Sequence, residues 1–245
     1  AINKSILRKP KNTTFSLVIP VHNYGPIIVQ TINTIISVLS KLSSGVNWNI
    51  VVIDNGSTDD TKNKVLILNS SKVTLLSMQE KGKGVAICYA ASKSDSDYFG
   101  FIDADLSADP ESILPILDIL VEKEVDVVIG SRFVDTSLVK RDFFRSFTSR
   151  VFNLLQRAIL GLSFKDTQCG LKIMNKKGVQ SLVQCREKGW FFDLEFLYLA
   201  RINKLHVYEY PISWDEFRFY KERKSKLNFS DSFYAIVAMF RIRDN

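Results

Sequence analysis

The stretch YFGFIDADLSADP, residues 98–110, sets an apolar run against Asp103, Asp105 and Asp109, with Pro110 directly after. In extended backbone, residues two apart face the same side, so Asp103 and Asp105 can address one site. Their hard oxygens suit Mg²⁺ or Mn²⁺, which keep waters and bridge protein carboxylates to the phosphates of a substrate. Asp109 has another explanation. With Pro110 at the first helical position and Glu111 in the first turn, it reads as a helix N-cap.

Other polar stretches leave alternatives open. DNGSTDD (54–60) is either a strand–turn–helix connection built on Asn55 and Gly56, or a ligand contact in which Asp54 accepts from a base N–H or a ribose hydroxyl. KGKG (81–84) puts two lysines and backbone N–H groups just before a helix, a place where an anion can bind, without the spacing of a P-loop. Asp193 and Glu195 are candidate general bases. On a helix, positions two apart diverge by about 200°, so at most one faces a site. The structural alternative has Asp193 as an N-cap and one of the two paired with a cation such as Arg201 or Lys172. His22 and His206 lack metal-ligand company, and Trp190 and Trp214 read as packing residues.

The elements that must position these residues alternate along the first 130 residues. FSLVIP (15–20), WNIVVID (48–54), KVTLLSM (72–78), DYFGFID (97–103) and VDVVIGS (125–131) are expected strands, and the segments between them carry apolar residues at helical spacing. Both-face-apolar strands alternating with helices predict an α/β fold with a mostly parallel sheet. Ligands bind such sheets beyond the carboxyl ends of the strands, and the polar motifs fall at five successive strand ends. Further along, residues 141–164 predict a helix that interleaves aromatic and aliphatic residues with Arg141, Arg145, Arg150 and Arg157. CGLKIMN and HVYEYPI read as strands, and SDSFYAIVAMFRIR as an amphipathic closing helix.

With 245 residues, 46% of them apolar, the chain is expected to form a single domain, and neither a low-complexity linker nor a solenoid repeat interrupts it. No apolar run reaches the roughly 18–20 residues needed to span a bilayer. Three cysteines, odd in number and without metal-ligand spacing, predict reduced thiols in a cytoplasmic setting. The net charge of +7 fits a phosphate-bearing partner or a solvated basic surface. A nucleic acid is the poorest of these partners, because no recognised motif organises the basic residues and the acidic strand ends would repel a phosphate backbone.

LVIPVHN, VVIDNGSTDDT, KGKGVA, DADLS, GSR, DTQCGLKIM, GWFFDLEFLYLA and RKSKL occur here in the order seen in family 2 glycosyltransferases. From about residue 15 to 230 the chain resembles that family, of GT-A fold. The likeness is to its dolichyl-phosphate glucosyltransferase and polyprenyl-phosphate mannosyltransferase branch. DTQCGLK and WFFDLE are the most specific pieces. The resemblance implies an inverting transfer of a sugar, glucose favoured, from a nucleotide sugar to a polyprenyl phosphate. UDP-glucose is the favoured donor and GDP-mannose the second. The enzyme would work peripherally on the cytoplasmic face of a membrane, with Mg²⁺ or Mn²⁺.

By position, the resemblance makes Asp54, Pro20 and Val21 nucleotide-base contacts and Lys83 a nucleotide-side residue. Asp103 and Asp105, with Ala104 between them, become the pair that holds metal and sugar nucleotide. Arg132 and Arg141 would lie near the diphosphate and the acceptor phosphate, and Lys226 in a basic loop that meets the lipid phosphate. About 15–135 would bind the nucleotide sugar, and about 136–245 the acceptor and the membrane, through amphipathic helices. PVHNY departs from the family's first motif by placing His22 and Tyr24 where an acidic pattern is usual, and Asn55 stands where a second aspartate is common. An acceptor phosphate is already anionic, so transfer to it requires no strong general base, whereas the rival acceptor, a sugar hydroxyl, does.

Overall fold

The computed structural model describes residues 12–134, 143–215, 218–219 and 229–244, with side chains from residue 152 in the helix that starts at 143 and from residue 234 in the last one. Seven strands, β1 (Thr13–Val21), β2 (Val46–Asn55), β3 (Val73–Met78), β4 (Tyr98–Ile102), β5 (Val127–Ser131), β6 (Leu171–Asn175) and β7 (Val207–Pro211), form one sheet in the order β3-β2-β1-β4-β6-β5-β7. All pairings are parallel except those of β6 with β4 and β5. The mostly parallel α/β fold predicted from the alternation is the one observed.

β1 is buried along nearly its whole length because both of its faces are covered. Leu17 and Ile19 enter one core with α1 (Ile28–Leu39) and α4 (Ile113–Glu122). Val18 enters the other with α3 (Lys83–Ser92) and α7 (Phe192–Ile202). In α1, Ile28, Ile32, Ile35 and Leu39 recur at helical spacing and are fully buried. At about 1.5–3 kcal/mol per side chain that stripe holds the helix on the sheet, so a charge at Ile32 would detach it.

The strand directions decide what reaches the crevice. β1 to β5 deliver their carboxyl ends to one side of the sheet. β6 runs the opposite way between β4 and β5, pairing Leu171 with Ile102 and Lys172 with both Phe101 and Ile129. The first residues of β6, not its last, therefore lie beside the end of β4.

α2 (Thr61–Ile67), α5 (Phe143–Leu160), α6 (Lys176–Leu182) and α8 (Phe229–Asp244) complete the α-helices among the described residues. Among the described residues, no helix is long and apolar enough to cross a membrane. α8 packs against α5 and buries Ala235, Ala238, Met239 and Ile242, while its outer side exposes Tyr234, Val237 and Phe240.

Candidate active site

β4 ends at Ile102, so Asp103 is the first residue past the strand and the alternation expected for Asp103 and Asp105 does not apply. A turn brings them together instead. Leu106 N donates to Asp103 O at 3.0 Å, and Leu106 adopts φ +50°, a conformation costly for a side chain of its size and characteristic of functional turns. Ala104 is buried beneath the turn, its carbonyl held by the Thr31 hydroxyl of α1 at 2.6 Å. Ala104 thus anchors the loop and presents almost no surface to a substrate. Asp109 accepts from Glu111 N and, with Pro110, starts a 3-10 turn that runs into α4. Residues 213–215 brace the loop from the other side, with Asp109 N donating to Ser213 O at 3.0 Å and Asp215 N to Ser107 O at 2.9 Å.

Burial raises the proton affinity of Asp105, and the neighbouring Asp103 charge raises it further. Two partly enclosed carboxylates that repel each other form a donor set that a divalent cation would relieve. Among the described residues, no cluster of three or more ligating side chains exists. A cation here would take the rest of its shell from water and substrate phosphates, which is the habit of Mg²⁺ and Mn²⁺. The residues fit the metal.

Asp103 is also tied to the protein interior. Its backbone N donates to Gly170 O at 3.2 Å, and a Cβ on Gly170 would fall 2.0 Å from Asp103 Oδ2, so only glycine leaves room for the carboxylate. Lys83 Nζ, from the first residue of α3, lies 2.7 Å from Asp103 Oδ1 and 3.7 Å from Asp193 Oδ2. Burial alone would lower the Lys83 ammonium, but Asp103 and Asp193 outweigh it and hold its pKa above the ordinary lysine value. Lys172, 0% exposed, places Nζ 2.5 Å from Asp193 Oδ1 and 2.7 Å from Cys169 O.

The two candidate bases diverge, as their spacing requires. Asp193 is not the cap of α7; that position is Phe191, and Asp193 sits in the first turn between two lysines. Glu195 points elsewhere and accepts from Arg186 N at 2.8 Å and Glu187 N at 2.6 Å. Its carboxyl is raised by burial while those two amides oppose the rise, so it serves the 186–187 loop and not the metal pair. The same loop changes the reading of KGKG. Gly84 N donates to Lys188 O at 3.0 Å, and a Cβ on Gly84 would fall 2.3 Å from Glu187 O. The start of α3 is capped by protein there, and its glycines permit close packing in place of the expected anion cradle.

Arg132 follows β5 and grips both oxygens of Asp166 through Nε and Nη2 at 2.7 and 2.8 Å, with its own backbone N adding a bond at 2.9 Å. Burial would raise Asp166, but Arg132 outweighs it and holds the carboxyl below the usual range. The Trp214 ring lies 4.6 Å from the guanidinium. Cys169, fully buried, is pushed up to about 12 by burial and by Asp166, and so stays an inert thiol. Asp54, at the end of β2, is 0% exposed. Its Oδ2 meets Lys62 Nζ at 3.3 Å, while Oδ1, like Asn55 Oδ1, has no hydrogen-bond partner among the described residues. Beside it Val21 is buried in the core and Pro20 is half-buried. Arg141 and Lys226 lie outside the described residues.

Lys172 is the expected cation that pairs with Asp193, whereas Gly170 and Asp166 were not among the expected site residues, although DTQCGLK stood out as a motif. Their signal was present in the sequence, but reading it requires knowing that β6 is reversed.

The chain as a whole is similar to proteins of known name. Dolichyl-phosphate beta-glucosyltransferase of Saccharomyces cerevisiae is 32% identical over 224 residues, covering 82% of this chain and 66% of that protein. The enzyme of the same name from Dictyostelium discoideum is 30% identical over 248 residues, covering 95% and 74%. The chain thus spans about two thirds to three quarters of these relatives' lengths. Glucosyl-3-phosphoglycerate synthase of Mycobacterium tuberculosis, crystallised with Mn²⁺, UDP and glucosyl-3-phosphoglycerate, superposes with a TM-score of 0.64 at 20% identity. That likeness covers 94% of this chain and 80% of the other and is one of fold. Residues 16–183, which hold most of β1, all of β2 to β6 and the carboxylate pair, match the model of glycosyl transferase family 2, and the chain belongs to that family.

Proposed function

We propose that this chain transfers glucose, with inversion, from UDP-glucose to the phosphate of a dolichyl-type polyprenyl phosphate at a membrane surface. The relatives' shared name supports the donor sugar and the acceptor class. The observation that carries the choice of acceptor is the confinement of Asp193 between Lys83 and Lys172. With Asp193 paired twice and Glu195 turned to loop amides, neither candidate base is placed to take a proton from an incoming hydroxyl. A phosphate nucleophile has no proton to give up. Its oxygen forms the bond to the anomeric carbon as the bond to the nucleoside diphosphate breaks, and the electron pair leaves with the diphosphate.

In this proposal Asp103 and Asp105 hold Mg²⁺ or Mn²⁺, which when bound supplies positive charge opposite the departing diphosphate. Asp54 accepts from the base or ribose, since its Oδ1 has no protein donor among the described residues. Arg132, oriented by Asp166, faces the phosphates, and Arg141 and Lys226 are proposed to meet them from the acceptor side. Residues 15–135 then serve the nucleotide sugar and 136–245 the acceptor and membrane. Exposed Leu154, Tyr234, Val237 and Phe240, with Arg157, Arg241 and Arg243 on the same helices, support docking to anionic lipid.

Incubation with UDP-glucose or GDP-mannose, Mn²⁺ or Mg²⁺, and either a short polyprenyl phosphate or a free oligosaccharide tests the proposal. Nucleoside diphosphate should be released with UDP-glucose and the polyprenyl phosphate. Equal release with the oligosaccharide would overturn the acceptor assignment.

A further inference from the structure

The ammonium of Lys83 occupies a site built for a cation. Asp103 Oδ1 lies 2.7 Å away and Asp193 Oδ2 3.7 Å, and the rings of Trp190, Phe192 and Phe101 surround it at 5.5, 5.7 and 5.9 Å. Phe192 is fully buried, whereas Trp190 is 72% exposed, so the cage has a fixed inner wall and an open outer one. The carboxylate that Lys83 contacts belongs to the pair that fits a divalent ion.

We propose that Lys83 is a tethered counter-ion for that pair, holding Asp103 in the metal-free protein and yielding it only when a divalent cation arrives together with the nucleotide diphosphate. Three carboxylates, Asp103, Asp105 and Asp193, stand against two ammonium groups, Lys83 and Lys172, leaving one formal negative charge. A divalent ion alone would turn that into a net positive charge within an enclosed space, with Lys83 as its near neighbour. A diphosphate brings the negative charge that makes both cations tolerable. It also offers Lys83 a new partner on its long, rotatable stem. Lys172 cannot take part directly, because it is fully buried and spent on Asp193 and Cys169 O; it keeps Asp193 in place as the second anchor of Lys83.

The inference rests on Asp103 and Asp105 as the metal pair, and the experiment separates the two. Mn²⁺ binding is measured by electron paramagnetic resonance on the whole chain, with and without UDP, for the unaltered protein, Lys83→Gln, Lys83→Arg and Asp103→Asn. The unaltered protein should bind Mn²⁺ weakly alone and roughly tenfold or more tightly with UDP. Lys83→Gln should bind Mn²⁺ alone roughly tenfold tighter than the unaltered protein and show a smaller gain from UDP. Lys83→Arg should remain weak. Unchanged or weaker Mn²⁺ binding by Lys83→Gln, with Asp103→Asn still abolishing it, would overturn the proposal and leave the metal pair standing. Mn²⁺ binding indifferent to Asp103→Asn would remove the metal pair and the proposal with it. Should Lys83→Gln fail to fold, the unaltered protein still decides: tight Mn²⁺ binding without UDP is incompatible with a resident counter-ion.

Discussion

The end of β2 and the segments packed around the start of β6 both bury carboxylates, but they treat them in opposite ways. Asp54 leaves one oxygen without a donor among the described residues, whereas Asp193 is clasped by Lys83 and Lys172, and Asp166 by Arg132. An unsatisfied buried acceptor costs about 1–3 kcal/mol, a cost that a ligand donor would offset. A fully paired one is scaffolding, which fixes neighbouring groups and has little capacity to accept a proton or a ligand. The open carboxylate belongs to recognition and the closed ones to position, and the partly buried pair Asp103 and Asp105 lies at the end of β4.

The sharpest test of that division is Asp105→Asn. Removing one charge from the pair should lower UDP release at saturating UDP-glucose by roughly 10³-fold while leaving the thermal midpoint nearly unchanged. Lys172→Met, which no substrate can touch, should do the reverse in emphasis. Breaking the buried pair costs about 3 kcal/mol in urea unfolding, and the double variant Lys172→Met/Asp193→Leu should lose less than the sum of its parts. Equal losses of activity and stability in both variants would erase the contrast.

Asp166→Asn should also destabilise at neutral pH, by about 2–3 kcal/mol, with a distinctive pH dependence. Because Arg132 holds the folded-state pKa of Asp166 below its unfolded value, the pair's contribution is present above the ordinary carboxylate value of about 4 and fades as pH falls through the folded value. Unfolding curves of Asp166→Asn and the unaltered protein should therefore converge on acidification, and a gap that persists in strong acid would show that the loss is not electrostatic. The smallest effect is expected at Asp54. Asp54→Asn should weaken UDP binding by roughly tenfold in calorimetry and change stability by under about 1 kcal/mol, since one of its oxygens has no protein donor to lose.

Much of the fold could be read along the chain because its signals are local. β1, β2 and β4 carry apolar residues on both faces, and α1 carries a clean stripe, so their existence and order follow from period and burial. The division of Asp109 from Asp103 and Asp105 was equally local, since an N-cap followed by proline is a short-range signature. The reason Asp103 and Asp105 converge was not. Strand alternation predicts the same outcome, but a turn closed by Leu106 produces it.

The sequence by itself determined the chemistry on offer: a carboxylate pair at a strand end, polar motifs at successive strand ends, and a family likeness across most of the chain. Only the tertiary structure decided which charges are free to act. Reversal of β6 brings Gly170 and Lys172 to the end of β4, and packing of α7 turns Asp193 inward and Glu195 away. These outcomes depend on strand direction and on partners distant along the chain, Lys83, Lys172 and Asp193 above all. Lys172 could be named from the sequence as a partner for Asp193 or Glu195, but local spacing cannot choose among such pairings, because a charge's role is set by what surrounds it once water is excluded.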